Sequence, residues 1–245
     1  MPIPAHTLPM SVEFDFSDRV VLVTGIGGAL GSAVAEQFLD AGATVCGADV
    51  VEPDSEDFLF EGLDRVEFYQ GDFTDESQVA DTVSTIVEEH GRLDFLCNIA
   101  GTWRGGDPLE ETDVELFDML LNVNLKTMFL ASKHAIPHLR EAGGAVVSVS
   151  ARSSLEGGEG DGTYRVSKAG VRLLTETIAE ENLGEVRANS VMPSVIDTPM
   201  NREMMPDADH DEWVDPADIA AVIAFLCSDA ASVTSGAAVP VYGEA

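Results

Sequence analysis

Short apolar runs alternate with helix-like segments along almost the whole chain, and this alternation restricts the fold more than any other feature. Apolar runs typical of buried strands occupy about 19–24, 43–48, 66–69, 93–98, 145–149, 186–192 and 237–241. Between them, apolar residues recur at helical spacing, as Leu30, Val34 and Phe38 do. Regular alternation of this kind is typical of βαβ units, whose strands pair in parallel. We therefore predict an α/β fold, a doubly wound parallel sheet of about seven strands with helices on both faces.

Helices are predicted at about 30–39, 79–90, 113–139, 163–182 and 215–226. Pro137 should bend or end the longest of them, since proline lacks the N–H that a helix interior requires. No linker-like segment interrupts residues 19–245, so this range is predicted to form a single domain. Residues 1–18 are predicted to form a flexible arm in front of that domain.

The charge of the chain is strongly negative. Its 245 residues include 44 acidic and 13 basic side chains, a formal charge of −31 at pH 7, and lysine occurs only at Lys126, Lys133 and Lys168. A dispersed acidic excess with scarce lysine predicts adaptation to molar salt, which screens self-repulsion. A merely acidic mesophilic protein is the alternative. Because no basic patch is visible, nucleic acid is not expected as a partner.

The cysteines and the hydropathy pattern indicate in which compartment the protein is found and whether it binds a metal or a membrane. Cys46, Cys97 and Cys227 are far apart and have apolar neighbours, which predicts free thiols in a reducing, cytoplasmic compartment. None has zinc-like spacing, and the acidic run at 207–212 is interpreted as surface, so no metal site is predicted. No apolar run reaches about 18 residues, so no membrane partner is expected. The segment from Met1 to Asp18 lacks the pattern of a secretory signal.

A glycine-rich loop joins the first predicted strand to the first predicted helix. The run is Thr24-Gly25-Ile26-Gly27-Gly28-Ala29-Leu30-Gly31. In this position it predicts a Rossmann-type dinucleotide site, because the helix N-terminus behind the loop faces the anionic phosphates. Gly25 would permit the tight turn, Gly27 or Gly28 the approach of the pyrophosphate, and Gly31 the packing of helix on strand. An ordinary strand–helix turn is the alternative.

Asp49 ends the second predicted strand, the one that follows the glycine loop and its helix. A carboxylate at this place can accept hydrogen bonds from the ribose hydroxyls and would repel a 2′-phosphate. No arginine or lysine follows it, since the next residues are Val50, Val51 and Glu52. We therefore predict that NAD(H) is preferred over NADP(H), with a solvated surface acid as the alternative role of Asp49.

Tyr164 and Lys168 are four residues apart at the start of a predicted helix, so their side chains share one helix face. A nearby ammonium favours the phenolate and would lower the pKa of the tyrosine. Such a tyrosine can exchange a proton with an alcohol or a carbonyl group. An amphipathic helix without a catalytic role is the alternative, because this spacing also arises by chance.

Taken in order, these motifs resemble those of the short-chain dehydrogenase/reductase family over about residues 20–243. The motifs are the glycine loop, Asp49, Asn98-Ile99-Ala100-Gly101, Asn122-Val123-Asn124-Leu125, Tyr164 through Lys168, and Pro193 followed by Thr198. The resemblance implies that Tyr164 is the acid/base, that Lys168 holds the nicotinamide ribose, and that Asn124 positions a water in a proton relay. It also implies cofactor contacts, which are expected from Thr24, Leu30, Asp72, Asn98, Ala100, Gly101, Pro193 and Thr198. The family usually forms tetramers or dimers, so a homotetramer or homodimer is expected, through the helices near 113–139 and 163–182.

The chain departs from the family pattern in three places. Ala29 stands where the middle glycine of the loop is usual, and Pro193-Ser194 replaces the usual Pro-Gly. The family commonly has its catalytic serine 13 residues before the tyrosine, where this chain has Ala151. Ser150 could take that role only with a shift of one residue, and Ser153 only if the intervening loop differs. Ser150 is the first candidate.

Several stretches resemble the quinonoid dihydropteridine reductase branch of the family. They include Ala100 to Gly106, and Asp197 to Trp213. By this likeness Trp103 would lie over the substrate, and 199–213 would form a lid with Met200 and Trp213 on its inner face. A solvated surface loop is the alternative for 199–213. The Asn122-Val123-Asn124-Leu125 run instead resembles an ordinary dehydrogenase.

The motifs together predict an NAD(H)-dependent oxidoreductase that interconverts a small-molecule alcohol and carbonyl, with Tyr164 as acid/base. A pterin reductase that uses NADH is one alternative, motivated by Trp103 and the 197–213 segment. A non-catalytic dinucleotide sensor is another, motivated by the missing serine.

Overall fold

The computed structural model describes residues 13–244, which form one parallel sheet of seven strands with helices on both faces. This architecture confirms the predicted α/β, doubly wound fold. The order across the sheet is β3-β2-β1-β4-β5-β6-β7, and all neighbours are parallel. The strands are β1 Val20–Thr24, β2 Thr44–Asp49, β3 Glu67–Gln70, β4 Phe95–Asn98, β5 Ala145–Val149, β6 Arg187–Pro193 and β7 Ala238–Val241.

Seven α-helices are found in the described range. They are α1 Ala29–Asp40, α2 Glu76–His90, α3 Val114–Leu121, α4 Thr127–Ala142, α5 Gly162–Glu181, α6 Pro199–Met204 and α7 Pro216–Cys227. None of the helices in residues 13–244 combines the length and the apolarity that a membrane span requires.

The sheet separates two apolar cores. Because side chains alternate along a strand, Val21 and Val23 of β1 enter the core under α1 and α7, whereas Val20 and Leu22 enter the core under α2 and α4. Phe38 of α1 is fully buried in the first core. Burying side chains of this size contributes about 1.5–3 kcal/mol each, so the two cores hold the strand ends in place.

The order of the sheet creates the cleft in which a ligand would bind. The chain winds outward from β1 to β3 on one side and from β4 to β7 on the other, so the direction reverses between β1 and β4. At such a switch point, the connections after the neighbouring strands leave in opposite directions and open a crevice at the carboxyl ends of the strands. Thr24, Asp49 and Asn98 end β1, β2 and β4, and they lie at this edge.

The predicted helix over 113–139 is interrupted. α3 and α4 are joined by a π-helical turn, Asn122–Lys126, and α4 continues past Pro137 to Ala142. A π turn adds a residue to the helical repeat and is frequent at functional sites. Apolar periodicity alone did not reveal it.

The predicted arm over 1–18 falls partly on residues 1–12, which lie outside the described range. Within 13–18, Phe16 is buried and its ring lies 5.0 Å from that of Phe38 and 5.2 Å from that of Phe95. The prediction of a flexible arm up to residue 18 is therefore wrong for Phe16, which belongs to the first core because its ring fills space beside α1.

Candidate active site

The glycine loop after β1 has the close backbone packing that a dinucleotide site requires. Gly25 has φ +72°, and a Cβ there would lie 2.8 Å from the Ala100 Cα. A Cβ on Gly31 would overlap the carbonyl oxygen of Gly25, so glycine brings α1 against the end of β1. Gly25 therefore lies at a tight turn, and Gly31 lies at the contact between helix and strand.

The two middle glycines differ from each other. A Cβ on Gly27 would lie 2.6 Å from the Phe58 ring, whereas one on Gly28 would make only an ordinary contact of 3.6 Å with the Gly25 oxygen. Gly28 is the N-cap of α1, and no side chain caps this helix end. The first turn therefore keeps backbone N–H groups for an anion, and the loop fits a pyrophosphate.

Asp49 lies beside this loop, at the rim of a cleft of about 100 Å³. Its Oδ2 accepts from the Gly27 N–H at 2.8 Å and its Oδ1 accepts from the Val51 N–H at 3.0 Å. Each carboxylate oxygen has a second lone pair, so Asp49 can still accept one hydrogen bond from each of the two ribose hydroxyls. Asp72 lines the same cleft, and its Oδ1 accepts from the N–H and hydroxyl of Thr74.

The residues after β4 connect the cleft to the interior. Thr24 Oγ1 accepts from the backbone N–H groups of Ile99 and Ala100, at 3.1 and 3.3 Å, which ties β1 to this segment. Asn98 is buried and donates to the hydroxyls of Ser132 and Ser148. Asn98 thus supports β4 and β5, which is the supporting role that the resemblance allowed it, and Ala100 lines the cleft.

Asn124 is held rigidly in the π-helical turn. Its Oδ1 accepts from the Thr102 N–H at 2.7 Å, and its Nδ2 donates to the Thr102 carbonyl and to the Ser167 hydroxyl, both at 3.0 Å. The Ser167 hydroxyl in turn donates to the Tyr164 carbonyl at 2.7 Å. Thr102 and Ser167 were missed by sequence reasoning, because backbone-directed bonds leave no motif. Together they lock Asn124 between the loop after β4 and α5.

Lys168 and Asn124 face the same small space beside Gly101. A Cβ on Gly101 would lie 3.0 Å from the Lys168 Nζ and 3.0 Å from the Asn124 Oδ1. Lys168 is buried, and its Nζ donates to the Val149 carbonyl at 2.9 Å. Burial lowers the pKa of Lys168 to about 8, because the desolvated ammonium is disfavoured.

Tyr164 lies one helical turn before Lys168 on α5, as the spacing predicts. Burial, together with the charge of Asp161, raises the pKa of Tyr164 to about 12. The prediction that Lys168 lowers this pKa is wrong for this arrangement, because the ammonium bonds to the Val149 carbonyl and desolvation dominates. The phenol therefore keeps its proton at neutral pH.

The structure contradicts the catalytic role predicted for Ser150. Its hydroxyl is buried and donates to the Lys168 backbone carbonyl at 2.8 Å, so it anchors α5 to the end of β5. Ala151, at the usual serine position, follows it and begins the turn Arg152–Leu155. Ser154 is also turned inward, toward the Met192 sulfur.

The segment after β6 forms a folded loop whose base is closed. Ile196 and Val214 form a parallel bridge, and the Asp197 N–H donates to the Val214 carbonyl at 2.8 Å. Thr198 caps α6 by accepting from the Asn201 N–H at 3.2 Å. The predicted lid over 199–213 is thus tied at both ends, and it begins with a short helix that the sequence analysis did not predict.

The predicted substrate residues lie in two loops. Trp103, in the loop after β4, is 38% exposed, and Met200 on α6 is 53% exposed. The Trp213 ring lies 4.4 Å from the His210 ring, inside the second loop. Pro193 ends β6 beside Val241 and is buried. Trp103 and Met200 therefore both expose apolar surface.

Arg165, beside Tyr164 on α5, is a further residue of the site that sequence reasoning missed. Arg165 pairs with Asp161 at 2.5 Å and donates to the carbonyls of Ser153 and Glu156. It holds the 153–161 loop against α5, next to Tyr164. The i, i+4 spacing of Asp161 and Arg165 was the available signal.

This fold and this arrangement of residues are typical of dinucleotide-dependent oxidoreductases. A family model described as enoyl-(acyl carrier protein) reductase matches residues 25–243. The 3-oxoacyl-(acyl-carrier-protein) reductase of Thermotoga maritima is 33% identical over 239 residues, which cover 92% of this chain and 96% of that protein. The meso-2,3-butanediol dehydrogenase of Serratia marcescens is 34% identical over 242 residues, which cover 94% and 95%. The chain belongs to the short-chain dehydrogenase/reductase family, whose members are oxidoreductases acting on CH–OH and C=O groups.

Solved structures give the same result. The ligand-free aldohexose dehydrogenase of Thermoplasma acidophilum superposes with a TM-score of 0.84, at 28% identity, covering 94% of each chain. A carveol dehydrogenase of Mycobacterium avium in complex with NAD has a TM-score of 0.83 at 25% identity, covering 93% of this chain and 97% of that one. ElxO with NADP bound has a TM-score of 0.85 at 28% identity, covering 92% and 97%. Both cofactor types therefore occur among similar structures.

Proposed function

We propose that the protein is an NAD(H)-dependent oxidoreductase that interconverts a small organic alcohol and its carbonyl compound, with Tyr164 as the proton-transferring group. The observation that carries this proposal is the convergence of Lys168 and Asn124 on the space beside Gly101, one helical turn from Tyr164. The relatives named above act on hydroxyl and carbonyl groups by their names, which favours this hypothesis over the pterin reductase. The cell compartment that fits the three free, buried cysteines is the cytoplasm.

The residues of the site divide the work of the reaction. A bound nicotinamide supplies or accepts the hydride. The Tyr164 phenol, protonated at neutral pH, donates its proton to the developing alkoxide when a carbonyl is reduced. Lys168 and Asn124 hold polar atoms beside Gly101. There Lys168 would bind the nicotinamide ribose, and Asn124 would position a water in a proton relay toward Lys168. The Ser150 hydroxyl takes no part in this step, since it is bonded to the α5 backbone.

The first prediction concerns Tyr164. Tyr164→Phe removes the proton donor and keeps the ring, so turnover should fall by a factor of about 10²–10⁴. Binding of NADH, measured by its fluorescence, should change little. The matched control is Tyr69→Phe on the edge strand β3, which should leave turnover unchanged. A Tyr164→Phe enzyme with normal turnover would overturn the assignment of Tyr164. If the wild type binds NADH but turns over none of many alcohols and carbonyl compounds, the alternative of a non-catalytic dinucleotide sensor is favoured.

The second prediction concerns the choice of cofactor. Asp49→Asn removes the negative charge at the proposed ribose position and keeps an oxygen that can accept the hydrogen bond from the Gly27 N–H. The ratio of kcat/KM for NADPH to that for NADH should rise about tenfold or more, because a 2′-phosphate is no longer repelled. Asp81→Asn, on the exposed face of α2, makes the same charge change elsewhere. An unchanged ratio in Asp49→Asn, or an equal rise in the control, would contradict the ribose role.

A further inference from the structure

Three side chains that bind metals in proteins meet away from the cofactor cleft. The Cys46 sulfur, a Glu67 carboxylate oxygen and a His90 ring nitrogen all lie within 4.8 Å of one another. Cys46 is fully buried, and the side chains of His90 and Glu67 are 17% and 47% exposed. A thiol therefore lies at the bottom of the group, with a carboxylate at its entrance.

The fold brings these residues together from three elements. Cys46 on β2 is the direct partner of Glu67 on β3 in the parallel register, so both side chains leave the sheet on the same face. α2 packs on that face and ends at His90, where Gly91 closes it with φ +72°. Asp49 lies three residues further along β2, about 10 Å from Cys46, so the group is separate from the cofactor cleft.

The surroundings of the group are negative. The His90 Nε2 lies 2.8 Å from the Glu67 Oε2, and the Tyr69 hydroxyl lies 3.1 Å from the Glu67 Oε2 and 2.8 Å from the Glu89 Oε2. Burial and the charges of Glu67 and Glu89 raise the pKa of Cys46 to about 12. Two carboxylates near one buried thiol create a potential that attracts a cation.

We propose that Cys46, Glu67 and His90 bind one divalent cation of the Zn²⁺ class, with Glu89 or a water as the fourth ligand. A sulfur, an imidazole nitrogen and carboxylate oxygens suit Zn²⁺ and Co²⁺, whereas Mg²⁺ and Ca²⁺ select oxygen ligands alone. On binding, the Cys46 sulfur exchanges its proton for the metal, and that proton leaves to solvent. His90 exchanges its contact with Glu67 for a bond to the metal. The sequence analysis predicted no metal site, because these ligands are too far apart in the chain to form a spacing motif.

The cation would have a structural role. β3 is the edge strand of the sheet, and the connection from β2 to β3 contains only the short turn Leu63–Arg65 and no α-helix, so few elements hold this edge. A metal that joins β2, β3 and α2 would hold this edge to the rest of the sheet. Since it binds the folded chain only, it should raise the melting temperature.

The test is a Co²⁺ titration of the full chain in molar KCl, followed by absorption. One equivalent should produce a near-ultraviolet thiolate-to-Co²⁺ charge-transfer band, which Zn²⁺ then removes. Cys46→Ser should abolish the band, whereas the matched control Cys227→Ser, a buried thiol elsewhere, should keep it. A wild-type protein without the band, or a Cys46→Ser protein that retains it, overturns the proposal.

Surface variants keep the test decisive if Cys46→Ser does not fold. His90→Gln and Glu67→Gln change partly exposed ligands and should weaken Co²⁺ affinity at least about tenfold. The control His134→Gln, near Glu76 at 3.3 Å, should not change it. Zn²⁺ should raise the melting temperature of the wild type more than that of His90→Gln. Equal affinities and equal Zn²⁺ shifts in His90→Gln and the wild type would also overturn the site.

Discussion

Lys168 shows how burial changes the acidity of one side chain. The chain has three lysines, and this one is enclosed beside Gly101 and Asn124, with its Nζ bonded to the Val149 carbonyl. Desolvation lowers the pKa of Lys168 to about 8. Its buried ammonium reduces stability at neutral pH, as groups with shifted pKa values at functional sites often do.

The third prediction follows from this pKa. Between pH 8 and 10.5 the unfolded chain keeps the Lys168 proton while the folded chain has released it, so stability should rise with pH. Relative to Lys168→Met, which has no such group, the unfolding free energy of the wild type should increase by about 3 kcal/mol across this window. Thermal melts of both proteins at several pH values measure the difference. A difference that stays constant with pH would contradict a buried lysine.

At the scale of elements, the contact between β1 and α1 depends on one glycine. Gly31 in the first turn of α1 faces the Gly25 carbonyl, and the backbone on both sides is held by the core under Phe38. Gly28 is the N-cap residue before this turn, and its backbone has φ −78° and space for a methyl group. Of these two glycines, three residues apart, only Gly31 lies where a side chain cannot be accommodated.

The fourth prediction uses this contrast. Gly31→Ala should destabilise the protein by about 3 kcal/mol or more and weaken NADH binding, because its Cβ would overlap a backbone oxygen that cannot move freely. Gly28→Ala should cost about 1 kcal/mol or less. Thermal melts and NADH titration measure both effects. Equal losses in the two variants would show that the close approach at Gly31 is not the cause.

At the scale of the molecule, exposed apolar side chains and the net charge would have opposite effects on association. Phe117, Phe129, Val166 and Leu173, on α3, α4 and α5, are large apolar side chains that are 39–57% exposed. We propose that a second copy of the chain covers these side chains. Each copy has a formal net charge of −31 at pH 7, so two associated copies repel each other strongly unless salt screens their charges. The Debye length falls from about 10 Å at 0.1 M to about 3 Å at 1 M salt.

The fifth prediction is that assembly depends on salt. In molar KCl, light scattering should give a multiple of the 26.0 kDa chain mass, a dimer or a tetramer. In about 0.1 M KCl the mass should fall toward that of one chain, because repulsion between subunits is no longer screened. A single-chain mass at every salt concentration would contradict the oligomer. A multimer that persists unchanged at low salt would contradict the role of screening.

The seven strands and most helices were predictable because each carries its own apolar period. β1 was predicted at 19–24 and is observed at Val20–Thr24, and the fifth strand was predicted without error at Ala145–Val149. The π turn at Asn122–Lys126 was not predicted, since the apolar pattern runs on through it. The short helix α6 was also missed, because six residues are too few for a period to show.

The sequence by itself predicted the parallel fold, the glycine loop, Asp49 and the Tyr164–Lys168 pair from local spacing, and it predicted Asn124 through the family resemblance. Only the tertiary structure decided where individual side chains point. It turned Ser150 onto the Lys168 carbonyl, and it set the register that places Cys46 beside Glu67 and His90. Contacts between residues far apart in the chain arise from packing and strand register, which local patterns do not encode.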